Sequence, residues 1–186
     1  SIGDAIAYAL RLRQQQPKRF RALLQRLEQQ DSLQDRHFHP FEQGLYGVTE
    51  MLVEGFLTLI EADVIKREVD GKLIHAGFFI GSPVLYQILQ RLPPSTRAKI
   101  DMMPVSYTNS LYGDEPGKRQ ARKHARFINS ALMVTLTGSV VSDGLADAQV
   151  ISGVGGQQHA LRPARSHPTS AGSIRTPLFH GTCAIW

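Results

Sequence analysis

Residues 47–56 read Gly-Val-Thr-Glu-Met-Leu-Val-Glu-Gly-Phe, and the interpretation of the rest of the chain starts from this stretch. Apolar residues recur downstream at the spacing of a helix face, as at Phe56 and Ile60. Thr49 is a plausible N-cap of that helix, which would place Glu50 in its first turn. A carboxylate in that position either complements the helix dipole or meets a ligand, and the stretch alone does not decide between them.

The composition indicates one globular domain with a real core. The chain has 186 residues, of which 42% are hydrophobic, and no run is long enough to span a bilayer. The formal charge of +5 suits a small anionic ligand that carries phosphate. Because the basic residues do not alternate with aromatic ones, we expect no nucleic-acid partner and no membrane partner.

Cysteine and histidine usage gives no sign of a metal site. Cys183 is the single cysteine, which excludes an internal disulfide framework and fits a reducing, cytoplasmic setting. His37 and His39 could share one face of a strand, but no third ligand is evident nearby, so we expect surface histidines and no metal. Ser1 to Ala5 lacks a basic segment and an initiator Met, which predicts no secretory signal and a chain that starts inside a longer protein.

Periodicity predicts several further elements. Ile2, Ala5, Ile6, Ala9 and Leu10 fall at helical spacing, and Gly3 near their start suggests a loop that could cradle an anion, although a plain core helix fits equally well. Pro17 begins a second, amphipathic helix, and Ser82-Pro83 begins another. Asp70-Gly71 lies between two β-rich runs and predicts a hairpin turn.

The second half of the chain contains two asparagines of interest. Residues 104–109 predict a short strand that ends at Asn109, which could bind a ligand at a strand end or simply form a turn. Residues 127–141 are the most apolar run and predict one or two buried strands. Asn129 within that run needs hydrogen-bond partners, either a ligand or neighbouring loops.

A glycine-rich loop follows at residues 152–157, Ser-Gly-Val-Gly-Gly-Gln. Glycines let backbone N–H groups approach a ligand closely, although such a loop could also be a tight turn between a strand and a helix. From residue 158 the periodicity disappears and proline and arginine become frequent. We therefore predict a domain over residues 1–157 and an aberrant or disordered tail over 158–186.

Taken together, six stretches in this order resemble the acetyl-CoA hydrolase/transferase family, a branch of the class I CoA-transferases. They are Ser1-Ile2-Gly3-Asp4-Ala5, Tyr46-Gly47-Val48-Thr49-Glu50-Met51, Pro104-Val105-Ser106-Tyr107-Thr108-Asn109, Ile128-Asn129-Ser130-Ala131-Leu132, Thr135-Leu136-Thr137-Gly138-Ser139-Val140 with Ser142-Asp143, and Ser152-Gly153-Val154-Gly155-Gly156-Gln157. The resemblance covers roughly residues 1–157.

The resemblance implies an α/β fold with a mixed sheet flanked by helices, the CoA-transferase-like second domain of a two-domain protein. The N-terminal domain would then be a missing partner, and a homodimer is an open alternative for the assembly. We expect Glu50, Asn109, Asn129 and Gly155 to converge on one rim of this fold.

The resemblance also implies chemistry through a glutamyl-CoA thioester. Glu50 matches the family's nucleophilic glutamate, and Glu54 is its nearest rival because it lies four residues further along. Acyl-CoA and a small carboxylate would be substrates, with no permanently bound cofactor. Asn109 would position the acyl or carboxylate group.

The remaining residues implied by the resemblance would form the oxyanion and CoA contacts. These residues are Ser1, Ile2, Gly3, Asn129, Gly153, Gly155, Gly156 and Gln157. Two other readings stay open, namely an inactive truncated fragment and an α/β module that binds CoA or a nucleotide weakly.

Overall fold

The computed structural model describes residues 2–31, 39–111, 113–122, 126–128, 133–134, 136, 140–141, 144–145, 147, 149–150 and 183–185. The helices are α1 (Ile2–Gln15), α2 (Pro17–Asp31), α3 (His39–Gln43), α4 (Glu54–Glu61), α5 (Pro83–Arg91), α6 (Pro94–Arg97), α7 (Val105–Asn109) and α8 (Glu115–Ala121). The strands are β1 (Gly47–Leu52), β2 (Ile74–Phe79), β3 (Ile100–Met102), β4 (Arg126–Ile128), β5 (Met133–Val134), β6 (Val140–Val141) and β7 (Cys183–Ile185).

One mixed sheet organises the fold, with its strands in the order β3-β2-β1-β7-β4. Strands β1, β2 and β3 are parallel, whereas β7 is antiparallel to both β1 and β4. Strands β5 and β6 form a separate antiparallel pair. The predicted α/β fold with a mixed sheet flanked by helices is therefore confirmed. Within the described ranges, no helix is both long and apolar enough to cross a lipid bilayer.

The main hydrophobic core lies between α4 and one face of β1 and β2. Its buried members are Leu45, Leu52, Phe56, Leu59, Val64, Ile65, Leu73, Ile74 and Ala76. Ile6 and Leu10 of α1 pack against this core, which explains the predicted helical periodicity of that segment. Leu57 and Leu85 join α4 to α5 in a second buried cluster. Burying side chains of this size contributes about 1.5–3 kcal/mol each.

The prediction that Thr49 caps a helix with Glu50 in its first turn is wrong. Both residues lie in β1, and the helix begins only at Glu54, after Val53 as its N-cap. This segment forms a strand rather than a helix because its backbone pairs with β2 along its length and with β7 over Gly47 to Thr49. The Thr49 hydroxyl donates to the Met51 carbonyl oxygen at 2.7 Å instead of capping a helix.

The prediction of a strand over residues 104–109 is also wrong, because Val105–Asn109 form the short helix α7. Pro104 precedes it with φ of −53°, a value that suits entry into a helical turn. The Thr108 hydroxyl lies 3.0 Å from the Val105 carbonyl oxygen, a contact within one turn that a strand does not offer.

Other local predictions are confirmed. Helix α2 begins at Pro17 and α5 at Pro83, where the Ser82 hydroxyl accepts a hydrogen bond from the Val84 N–H as an N-cap. Asp70 and Gly71 form a tight turn with φ of 53° and 73°, as the left-handed geometry of this turn type requires. Its paired arms are short, because β2 turns to pair with β1 and β3 instead.

The predicted boundary at residue 157 and most of the predicted tail lie outside the described residues. Of the tail, Cys183–Ile185 are described, and they form β7 between β1 and β4. His39 begins α3, whereas His37 also lies outside the described ranges.

A buried polar pair covers the face of the sheet opposite α4. Ile74 faces the core, so its neighbour His75 points to the other side of β2. The Tyr46 hydroxyl lies 2.5 Å from His75 Nδ1, and the Tyr107 ring of α7 packs on His75 with centroids 5.2 Å apart. Burial lowers the pKa of His75 and raises the pKa of Tyr46, which favours a neutral pair in which the phenol donates to the imidazole.

The His75 pair predicts that stability falls on acidification. Because the folded pKa of His75 lies below its unfolded value of about 6.5, the unfolded chain binds more protons, and stability is lost as pH falls below about 6.5. The limiting slope from one group is about 1.4 kcal/mol per pH unit. Urea unfolding between pH 7.5 and 5 should show this slope, and His75→Gln should reduce it. An unchanged slope in His75→Gln would assign the effect to other groups.

Candidate functional site

The side chains of Glu50 and Asn109 contact each other, although 59 positions separate the two residues in the chain. Glu50 is a partly buried residue of β1, and Asn109 is the last residue of α7. The Asn109 side-chain amide Nδ2 donates to Glu50 Oε2 at 2.6 Å. A hydrogen bond this short to an ionised oxygen is of the strong, charge-assisted kind. One carboxylate oxygen is therefore held by a fixed neutral donor.

Gly77 allows α7 to lie close enough for this contact. Thr49 pairs with Ala76 and Met51 with Phe78, so Gly77 of β2 lies beside Glu50 of β1. A Cβ added at Gly77 would lie 2.8 Å from the Glu50 carbonyl oxygen and 2.9 Å from Val105 Cγ2. The glycine is thus required by space, since both β1 and α7 occupy the volume of a side chain.

The Asn109 amide is held from its oxygen end as well. The Thr108 hydroxyl Oγ1 lies 3.1 Å from Asn109 Oδ1, and Thr108 is only 6% exposed. Glu50 therefore accepts from one end of the amide while Thr108 contacts the other.

Two basic side chains of the α8 region hold the C-terminal end of α7. Lys118 Nζ donates to the Ser110 carbonyl oxygen at 3.0 Å and lies 4.4 Å from the centre of the Tyr107 ring. Arg122 donates to the carbonyl oxygens of Tyr107 and Thr108, each at 3.3 Å. Cations at the carboxyl end of a helix oppose its partial negative charge.

Burial lowers the pKa of both Lys118 and Arg122, so their charged forms depend on the groups that surround them. The carbonyl oxygens at the end of α7 and the Tyr107 ring provide that environment. The basic side chains and the helix that carries Asn109 therefore stabilise each other.

Glu54, the rival carboxylate, has a different set of contacts. Its Oε1 accepts from the Ser82 hydroxyl at 2.6 Å and from the Ser82 N–H at 3.1 Å. The Ser82 hydrogen bond is the main reason that the pKa of Glu54 lies below its usual value, with its own backbone N–H adding to the effect. Since Ser82 also caps α5, Glu54 ties the start of α4 to the start of α5.

The other predicted site residues are only partly described. Ile2 and Gly3 are the first residues of α1, so the loop expected at Gly3 is helical. Helix α1 lies on the α4 side of the fold, because its residues Ile6 and Leu10 pack against the main core. Ser1, Asn129, Gly153, Gly155, Gly156 and Gln157 lie outside the described residues.

Sequence reasoning did not identify the residues that support Asn109. Thr108 lies in the segment that is predicted to be a strand, and no pattern in the sequence indicates that its hydroxyl is buried. Gly77 sits in a β-rich run between Ala76 and Phe78, and a glycine inside such a run is the one signal of a close backbone approach.

The arrangement joins a carboxylate to a fixed amide donor. Val105 of α7, which is 38% exposed, lies beside Gly77 close to the Glu50 backbone. A partly buried carboxylate with one oxygen held by an amide can act as a nucleophile or as a general base. Among the described residues there is no group of three or more His, Cys, Asp or Glu side chains that could hold a metal ion.

The close packing at Gly77 yields a test of the site's geometry. Gly77→Ala should destabilise the fold by roughly 1–3 kcal/mol, because neither the Glu50 backbone nor Val105 can move freely. Gly144→Ala is the matched control, since among the described residues its added Cβ would meet nothing closer than the Gln149 carbonyl oxygen at 3.6 Å. Urea unfolding of both variants measures the difference. Equal stability of the two variants would contradict the proposed close approach.

Comparison with known proteins finds a matching protein family. The family model described as acetyl-CoA hydrolase/transferase C-terminal domain matches residues 81–177, more than half of the chain. The matched segment includes Asn109 and Asn129 and begins after Glu50. Comparison with curated proteins and with solved structures gives no significant match. The α/β fold agrees with the family, and the chain belongs to the acetyl-CoA hydrolase/transferase family through its C-terminal domain.

Proposed function

We propose that this domain catalyses acyl transfer from acyl-CoA, as a hydrolase or a CoA-transferase, with Glu50 as the nucleophile. The observation that carries the proposal is the 2.6 Å hydrogen bond from Asn109 Nδ2 to Glu50 Oε2. It links a residue inside the family match to the carboxylate that precedes it. Glu50 itself lies before the matched segment, and this hydrogen bond connects its carboxylate to that segment.

In the first step, a Glu50 oxygen attacks the thioester carbonyl carbon of acyl-CoA. A new carbon–oxygen bond forms, the carbon–sulfur bond breaks, and CoA leaves as a thiolate, which gives an acyl-glutamyl anhydride. The thiolate then attacks the glutamyl carbonyl carbon and expels the acyl group as a carboxylate. Glu50 is left as a thioester of CoA.

The second half of the reaction regenerates the carboxylate. In a transferase, an acceptor carboxylate attacks the glutamyl thioester, and the released thiolate attacks the acyl carbon to form a new acyl-CoA and free Glu50. In a hydrolase, water attacks the glutamyl thioester instead, one of its protons goes to the departing CoA thiolate and the other to solvent, and Glu50 is restored as a carboxylate. Dividing the transfer in this way replaces one difficult step by several easier ones.

Asn109 has a direct use in these steps. Each attack on the glutamyl carbonyl places negative charge on a side-chain oxygen of Glu50, and Asn109 Nδ2 already lies 2.6 Å from Oε2. A donor that is in place before the charge develops stabilises the transition state without reorganisation. The glycine loop at residues 153–157 is proposed to add N–H donors, and Asn129 with residues 1–3 to contact CoA.

The contacts of Glu54 favour Glu50 as the nucleophile. Glu54 Oε1 accepts two hydrogen bonds from Ser82, which lower the pKa of Glu54 and make its carboxylate a weaker nucleophile.

We further propose that the domain works with an N-terminal domain in a reducing, cytoplasmic setting. Its substrates would be an acyl-CoA and a small carboxylate, without a permanently bound cofactor, and a homodimer is one assembly compatible with this function.

Trapping tests which carboxylate reacts. With the N-terminal domain present, the protein is incubated with acetyl-CoA and reduced with borohydride, which converts a glutamyl thioester into an alcohol that mass spectrometry can locate. We expect the modified residue to be Glu50. Glu50→Gln should retain CoA binding yet lose turnover by about a thousandfold or more, because the covalent route is removed.

Glu54→Gln is the matched control, since it changes the neighbouring carboxylate in the same way and should lose far less activity. A modification at Glu54, or undiminished turnover in Glu50→Gln, would refute the assignment of the nucleophile. CoA binding with no trapped residue in either protein would favour the alternative, a module that only binds CoA or a nucleotide.

A further inference from the structure

The Thr108 hydroxyl lies behind the amide that contacts Glu50. Its Oγ1 is 3.1 Å from Asn109 Oδ1 and 3.0 Å from the Val105 carbonyl oxygen. The side chain is buried, with an exposed fraction of 6%, so water cannot readily replace it. A hydroxyl has one proton to donate, and both neighbours are carbonyl oxygens, so Thr108 can donate to either of them.

The orientation of the Asn109 amide decides whether the site works. With Nδ2 directed at Glu50, the amide donates to the carboxylate, as the structure shows. Rotation by half a turn about the terminal torsion would direct Oδ1 at Glu50 and place two acceptors against each other. That terminal torsion is intrinsically soft, so neighbouring groups must hold it.

The hold on this amide changes during the proposed reaction. While Glu50 is a carboxylate, its charge attracts Nδ2 and fixes the amide by itself. Once Glu50 is acylated or joined to CoA, its carbonyl oxygen is a neutral and weaker acceptor. At that stage the Thr108 hydroxyl, 3.1 Å from Asn109 Oδ1, still contacts the far end of the amide.

We propose that Thr108 is a positioning residue that keeps the Asn109 amide directed at Glu50, above all when Glu50 is covalently modified. The inference rests on the proposed role of Glu50 and assigns Thr108 a role that acts through Asn109. It predicts an effect on the steps that consume the covalent intermediate, with little effect on the binding of acyl-CoA.

A double-mutant cycle separates this role from general support of α7. Thr108→Val keeps the shape and removes the hydroxyl, Thr108→Ser keeps the hydroxyl, and Asn109→Ala removes the amide. Thr108→Val should lower kcat about tenfold with KM for acetyl-CoA nearly unchanged, as expected for the loss of one neutral hydrogen bond. Thr108→Ser should restore most of the activity. In the Asn109→Ala background, Thr108→Val should have almost no further effect.

An NMR measurement tests the same contact without turnover. The side-chain amide signals of Asn109, assigned by their loss in Asn109→Ala, should show one proton shifted downfield by its bond to Glu50. Thr108→Val should reduce this shift, and Thr108→Ser should preserve it.

The outcomes distinguish the two proposals. If Glu50→Gln keeps its turnover, the proposed function fails, whereas the Asn109 signals still report whether Thr108 positions the amide. An equal effect of Thr108→Val with and without Asn109, or unchanged Asn109 signals in Thr108→Val, would overturn the inference.

Discussion

The bare backbone of Gly77 is the constraint on which the candidate site depends. Because no side chain stands there, the Val105 side chain at the start of α7 can approach the backbone of β1 and β2 within van der Waals distance. Asn109, at the other end of the same short helix, then reaches Glu50. A larger residue at position 77 would push the helix away from the sheet and separate Asn109 from Glu50.

The site is supported by groups that are costly to bury. Lys118 and Arg122 lie close to the carbonyl oxygens at the end of α7, and burial lowers the pKa of both. Partly desolvated cations are stable only where dipoles or π faces surround them. Here the partners are backbone carbonyl oxygens at the end of α7 and the Tyr107 ring. These contacts offset the cost of desolvating the two cations, and they also fix the helix that carries Asn109.

Sequence patterns predicted the class of fold and the helices with strong start signals, such as those at Pro17 and Pro83. They failed where long-range pairing overrides local preference. Glu50 lies in a strand because β2 and β7 pair with β1, and these partners are distant in the chain. Similarly, α7 is a helix because its turn is held by contacts within α7 and by α8, and no local pattern in residues 104–109 reveals α8.

Glu50 and Asn109 both match motifs of the resemblance, but the local patterns around them predict the wrong elements. Glu50 was expected at a helix start and Asn109 at a strand end, whereas they meet as a strand residue and a helix residue. Their hydrogen bond is a tertiary fact that periodicity cannot supply. The roles of Asn129 and of the glycine loop stay predictions, since these residues lie outside the described ranges.

Helix α7 has only five residues, too few to persist as a helix in isolation. Contacts with the sheet and with the α8 region therefore stabilise this helix. It forms a separate, weakly cooperative unit of the fold. On warming, this unit should open while β1 and β2 are still paired. The contact between Asn109 and Glu50 would then be lost before the sheet melts, at a temperature set by the stability of a five-residue helix rather than by that of the core.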